Sequence, residues 1–168
     1  MDVKTLLREQ ISQAHEWFEA TAADVTPEQL HWIPPGVANP LGAIYAHAIA
    51  AEDAVIQGMF RGDKPLFETT FAGKTGISEP LLHAELGWAR RVQIDLPALR
   101  QYTQAVYAAT DAYLASLTDA ELSRPVPGPL GDVPISWALS NLVLAHIHEM
   151  MGEMSCLKGI QGAKGYPF

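Results

Sequence analysis

Apolar residues recur along most of the chain at the three-and-four spacing of a helical face, broken in a few places by proline and glycine. The first stripe is Val3, Leu6, Leu7, Ile11, Ala14, Phe18, Ala22 and Val25, with His15 at its edge. Thr26-Pro27-Glu28 reads as a cap with proline in the first turn, predicting a short helix through Leu30 that Trp32-Ile33-Pro34-Pro35-Gly36 terminates. Asn39-Pro40 repeats the device, with Asn39 as N-cap, and opens a long helix to about Phe60 whose inner stripe is Ile44, His47, Ala51 and Val55. Glu52 and Asp53 lie well round the wheel from His47, toward another partner or solvent. Residues 62–79 show no helical period and predict a loop.

Ser78-Glu79-Pro80 predicts the cap of a third helical region carrying Leu81, Leu82, Leu86, Trp88 and Val92, with His83 as a surface or boundary residue and a break at Asp95-Leu96-Pro97. A clean helix follows to about Leu117, through Leu99, Tyr102, Val106, Ala109, Tyr113 and Leu114. The proline-rich stretch 119–133 predicts a crossover, and no segment reads as a strand pair. The last long helix begins near Ser136, with Leu139, Leu142, Val143, His146, Met150, Glu153 and Leu157 on one face, and ends at Lys158-Gly159. Trp137, Leu144, His148 and Met151 give it a second partly apolar side, suited to a homodimer or to a neighbouring helix and the aromatic tail Tyr166-Pro167-Phe168. Four long helices with apolar stripes predict one all-α domain over residues 1–168, a four-helix bundle with long crossover connections.

The 168 residues are 48% hydrophobic and 18% charged, ample for a packed core. A net charge of -8, with lysine and arginine scattered, argues against a nucleic-acid or anionic-membrane partner. A single cysteine, Cys156, rules out an intrachain disulfide and fits a reducing compartment. Neither a signal pattern at Met1-Asp2-Val3-Lys4 nor a spanning apolar run is present, so the expected location is the cytoplasm.

Two histidines on apolar stripes carry the chemistry. A polar group on a buried face costs free energy unless it is bonded or bound. Neutral imidazole is a common ligand for zinc, nickel and iron. Positions 146 and 150 form an i, i+4 pair about 5–6 Å apart, near enough to share an ion, and His47 is the candidate ligand from a facing helix. Position 150, however, is methionine, whose thioether suits copper(I) better than zinc or nickel. Glu149 and Glu153 could supply a carboxylate, orient water or act as general base, whereas His148 points elsewhere on a regular helix. Without metal, the two histidines would be core residues bonding across the bundle. The zinc-protease pattern fails at Gly152, and repeated Glu-x-x-His pairs of di-iron bundles are absent.

The stretch Asn39-Pro40-Leu41-Gly42-Ala43-Ile44-Tyr45-Ala46-His47 with Glu52-Asp53, the run Gly152-Glu153-Met154-Ser155-Cys156-Leu157-Lys158-Gly159, and the end Gln161-Gly162-Ala163-Lys164-Gly165-Tyr166-Pro167-Phe168 resemble the DinB/YfiT-like superfamily. The resemblance covers nearly the whole chain. It implies a four-helix bundle, a three-histidine metal site whose ligands fall on His47, His146 and position 150, and, in some relatives, thiol-dependent transferase or isomerase chemistry with a low-molecular-weight thiol. Met150 stands where the third histidine is expected. Two readings therefore stay open: a metal-dependent thiol S-transferase or hydrolase with a degenerate site, or a non-catalytic binding or stress-related bundle that has lost its metal.

Overall fold

The computed structural model describes residues 2–80 and 85–168. Its body is built from helix α1 (Val3–Ala22), α3 (Leu41–Asp53), α5 (Leu96–Ser116) and α8 (His146–Ile160), with the short helices α2 (Pro27–His31), α4 (Leu86–Ala89), α6 (Asp119–Leu122) and α7 (Ile135–Ala138) between and around them. Helix α8 packs on both α1 and α3, and α5 closes the bundle against the same two helices. Ile11, Phe18, Ile49, Ile56, Leu99, Val106, Leu114, Leu139 and Met154 fill the interior between them. Burying such side chains, about 1.5–3 kcal/mol each, is what holds the bundle together.

Local chemistry explains most boundaries. Asp2 caps α1 by accepting from the Thr5 amide, and Thr26 and Gln29 form a reciprocal capping box on α2. Pro40, rather than Asn39, occupies the N-cap of α3, and no side chain caps that end. Ser78 uses its hydroxyl elsewhere among the described residues, accepting from the Gln93 amide, while Ile77 bridges Ile94. That contact lays the loop against the start of α5, where Gly76, at φ 76°, leaves no room for a Cβ beside the Asp95 carbonyl and Leu99 amide. The expected helix-three residues Leu81, Leu82 and His83 lie outside the described residues.

Two departures from the expected pattern matter more. Residues Pro125–Gly128 and Gly131–Pro134 pair as an antiparallel hairpin, β1 and β2, inside the stretch expected to be irregular. Moreover, both helices that carry the candidate histidines contain π-helical segments: Ala54–Arg61 follows α3, and Leu139–Ala145 leads into α8. A π turn takes an extra residue, so the faces beyond it rotate relative to an α-helical wheel. The buried stripe is accordingly Leu139, Val143, Ile147, Met151 and Met154, while Leu142, His146 and Met150 move to half-buried positions and Glu153 becomes exposed.

The second side of the last helix is met in part from within the chain, while Trp137 stays exposed and Leu144 half-buried. Met151 is buried, His148 meets the edge of Trp17, and Phe168 of the tail packs on the same indole. Helix α8 continues past Gly159 to Ile160, and Gly162 takes the left-handed conformation after it. Lys158 is buried, donating to the Thr21 carbonyl and the Asp24 carboxylate, and so ties the end of α8 to the end of α1.

Candidate functional site

His47 projects from the middle of α3 and His146 stands at the junction between the π segment and α8. The two side chains meet across the α3–α8 contact with Nε2 atoms 3.2 Å apart and ring planes at 87°. Both are half-buried, placing the pair at the rim rather than the centre of the bundle. Burial pushes the His146 imidazole below 6.5, and the carboxylates of Glu149 and Glu52 offset this only in part. His146 is therefore neutral at neutral pH.

The other expected site residues are less convergent. Met150 is half-buried against the hydrophobic core. Glu149 and Glu153 are both exposed on α8. Apolar surroundings, then the charge of Glu149, raise the Glu153 carboxyl. Among the described residues, no three histidine, cysteine, aspartate or glutamate side chains gather closely enough to hold a metal ion. The structure thus brings together His47 and His146, with Glu149 in electrostatic range, and no third histidine or carboxylate ligand.

A second polar cluster lies deeper, at the junction of α1, α3 and α5. Glu52 is only 2% exposed; it accepts from Thr110 at 2.5 Å and pairs with His15 Nε2 at 3.0 Å. The His15 ring stacks on Tyr107 with centroids 3.6 Å apart. Tyr107 in turn donates to Glu19, whose two oxygens also lie 2.8 Å from the Tyr45 hydroxyl. Burial raises the Glu19 carboxyl against the opposing pull of these phenols. Beside this cluster Asp53, 1% exposed, accepts from Tyr102 and from the Phe67 amide, holding the loop after the π segment onto α3.

Glu52 and Asp53, expected to face another partner or solvent, both point into protein and find their partners there. His15, expected at the edge of the apolar face against a neighbouring helix, is buried there with a carboxylate partner. Signals for this network were present in the chain: two adjacent acids ending an otherwise apolar helix, Thr103 and Thr110 within the stripe of α5, and Glu19 one turn after His15. Each costs free energy alone, and only their pairing across helices accounts for them.

Residues 10–151 match the DinB superfamily. The chain belongs to that superfamily. Its fold is also that of a conserved protein from Enterococcus faecalis, with a TM-score of 0.78 at 21% identity over 95% of this chain and 99% of that one. Among curated proteins none matches. No described helix is long and apolar enough to cross a membrane.

Proposed function

We propose that this protein is a cytoplasmic divalent-metal protein in which His47 and His146 hold zinc, nickel or iron, serving thiol S-transfer or hydrolysis with a low-molecular-weight thiol. One observation carries the reading, the 3.2 Å separation of the two Nε2 atoms. Two imidazoles bound side by side to one ion through bonds of roughly 2.1 Å bring their nitrogens about 3.0–3.4 Å apart. The spacing therefore fits a shared ion, although the protein offers two strong ligands rather than three.

Neutral imidazole is the ligating form, and burial favours it at His146. A bound ion would supply Lewis acidity, making a coordinated water or thiol more acidic near neutral pH. The half-exposed rim leaves room for such a ligand, while the adjoining hydrophobic core restricts water on the other side. Glu149, whose charge reaches His146, would accept the proton at its carboxylate. Glu153, raised toward neutrality, is the alternative acceptor. Met150 offers a thioether, a weak partner for these ions, so binding should be weaker than with a third imidazole.

The same spacing also suits a hydrogen bond from one neutral imidazole to the other, which favours a non-catalytic bundle. Elemental analysis after purification without chelator separates the two. Close to one ion per chain, lost in His146→Ala, supports the metalloprotein and directs assays to thiol co-substrates. An empty parent with a Met150→His variant that takes up zinc points to an abandoned site. If both stay empty, the histidines are structural.

A further inference from the structure

A cleft of 360 Å³ opens between α1 and α5, within the size range, about 300–1,000 Å³, of small-molecule sites. Ser12, His15, Glu16, Glu19, Gln104 and Tyr107 line its working surface. We infer that this cleft binds a small organic cation, a primary ammonium carried on a compact aromatic or alkyl body, with Glu19 as its counter-charge and Tyr107 beside it.

The argument starts from Glu19. Its carboxylate is largely withdrawn from water, yet the donors that reach it are two neutral phenols, Tyr45 and Tyr107. Arg100 acts on it only through space, because its guanidinium donates to the Ala22 and Ala23 carbonyls. The other cation at the cleft, Arg8, is held by both oxygens of Asp111. Glu16 stands exposed at the rim, and Glu52 lies behind His15. Glu19, with Glu16 at the rim, is therefore a carboxylate of this cleft that no cationic side chain meets in direct contact.

Burial raises the Glu19 carboxyl, which is the cost of keeping that charge from water. An arriving ammonium would recover part of that cost through a charge-assisted hydrogen bond. The phenol of Tyr107, backed by the stacked His15 ring, supplies the aromatic surface that a cation favours. Anionic ligands meet repulsion, and neutral ones leave the carboxylate without a counter-charge. The inference does not depend on metal at His47 and His146.

Calorimetric titration at neutral pH with benzylamine, benzyl alcohol and benzoate tests it. Benzylammonium should bind saturably and lose about tenfold or more in affinity, some 1.4 kcal/mol, in Glu19→Gln. Benzyl alcohol and benzoate should not bind. Gln104→Trp, which fills the cleft from an exposed position, should abolish the signal, and His146→Ala should leave it intact. Should Glu19→Gln fail to fold by circular dichroism, Gln104→Trp decides alone. No saturable binding of benzylammonium, equal binding of the alcohol, or unchanged affinity in folded Glu19→Gln or Gln104→Trp overturns the proposal.

Discussion

The two polar clusters of this bundle solve the same problem in opposite ways. At the α1–α3–α5 junction, Glu52 and Glu19 are taken from water and held by hydroxyl and imidazole groups contributed by the three helices. At the α3–α8 rim, His47 and His146 meet each other while half-buried, with their Nε2 atoms 3.2 Å apart. The first arrangement answers its polar groups from within the chain and leaves Glu19 without a cation in direct contact. The second pairs two imidazoles across helices at a half-buried edge. Polar residues on apolar stripes look alike along a chain, and only their cross-helix partners distinguish the two uses.

The comparison breaks most readily at Glu52. Glu52→Ala strands His15 and Thr110 in the interior and should lower unfolding free energy by about 3–5 kcal/mol, seen as a large shift in the urea midpoint. His47→Ala, at the rim, should cost far less stability; a comparable loss would mean that the rim pair is structural too. A smaller effect is expected from Tyr45→Phe, which removes one phenol from Glu19: about 1–2 kcal/mol in stability, with the Glu19 carboxyl moving further up when followed by carbon-detected NMR titration.

Acid provides the finest test, because the clusters respond with opposite sign. His146 is depressed below 6.5 in the folded chain, so the unfolded chain takes its proton first. Stability from this residue is present above 6.5 and is lost as pH falls toward the depressed folded value. Glu19 is raised above 4.5, so the folded chain protonates first. Its contribution improves as pH falls through that raised value, until the unfolded carboxyl also protonates near 4.5. Denaturation series should show His146→Asn flattening the loss below 6.5 and Glu19→Gln deepening the acid limb below it. A His146→Asn profile parallel to the parent would remove burial of that imidazole as a factor.

The bundle itself was legible in the chain because stripes such as Ile11, Phe18 and Leu99, Val106 repeat over many turns and need no knowledge of partners. His47 and His146 were legible for the same reason, as polar interruptions of such stripes. The hairpin was not: Pro125-Val126-Pro127-Gly128 offers one buried residue, and its prolines resemble a loop. Nor was the true face of α8, since a wheel drawn at 3.6 residues per turn cannot register the extra residue in Leu139–Ala145. Helix-by-helix reading likewise left Glu52 without His15, because that bond joins positions 37 residues apart.

That extra residue has a consequence for descent. A π turn can arise when one amino acid is inserted into an α-helix whose ends are already anchored. Here the anchors are the buried Ile135 on one side and Met154 and Lys158 on the other. Removing one residue from Leu139–Ala145 would leave His146 at its old distance from Met150 but turn it by about 100° relative to Ile135. Histidine spacing and histidine direction are therefore separate heritable traits in this helix. Two relatives with identical motifs could aim the same histidine at different places, and a single codon would divide them.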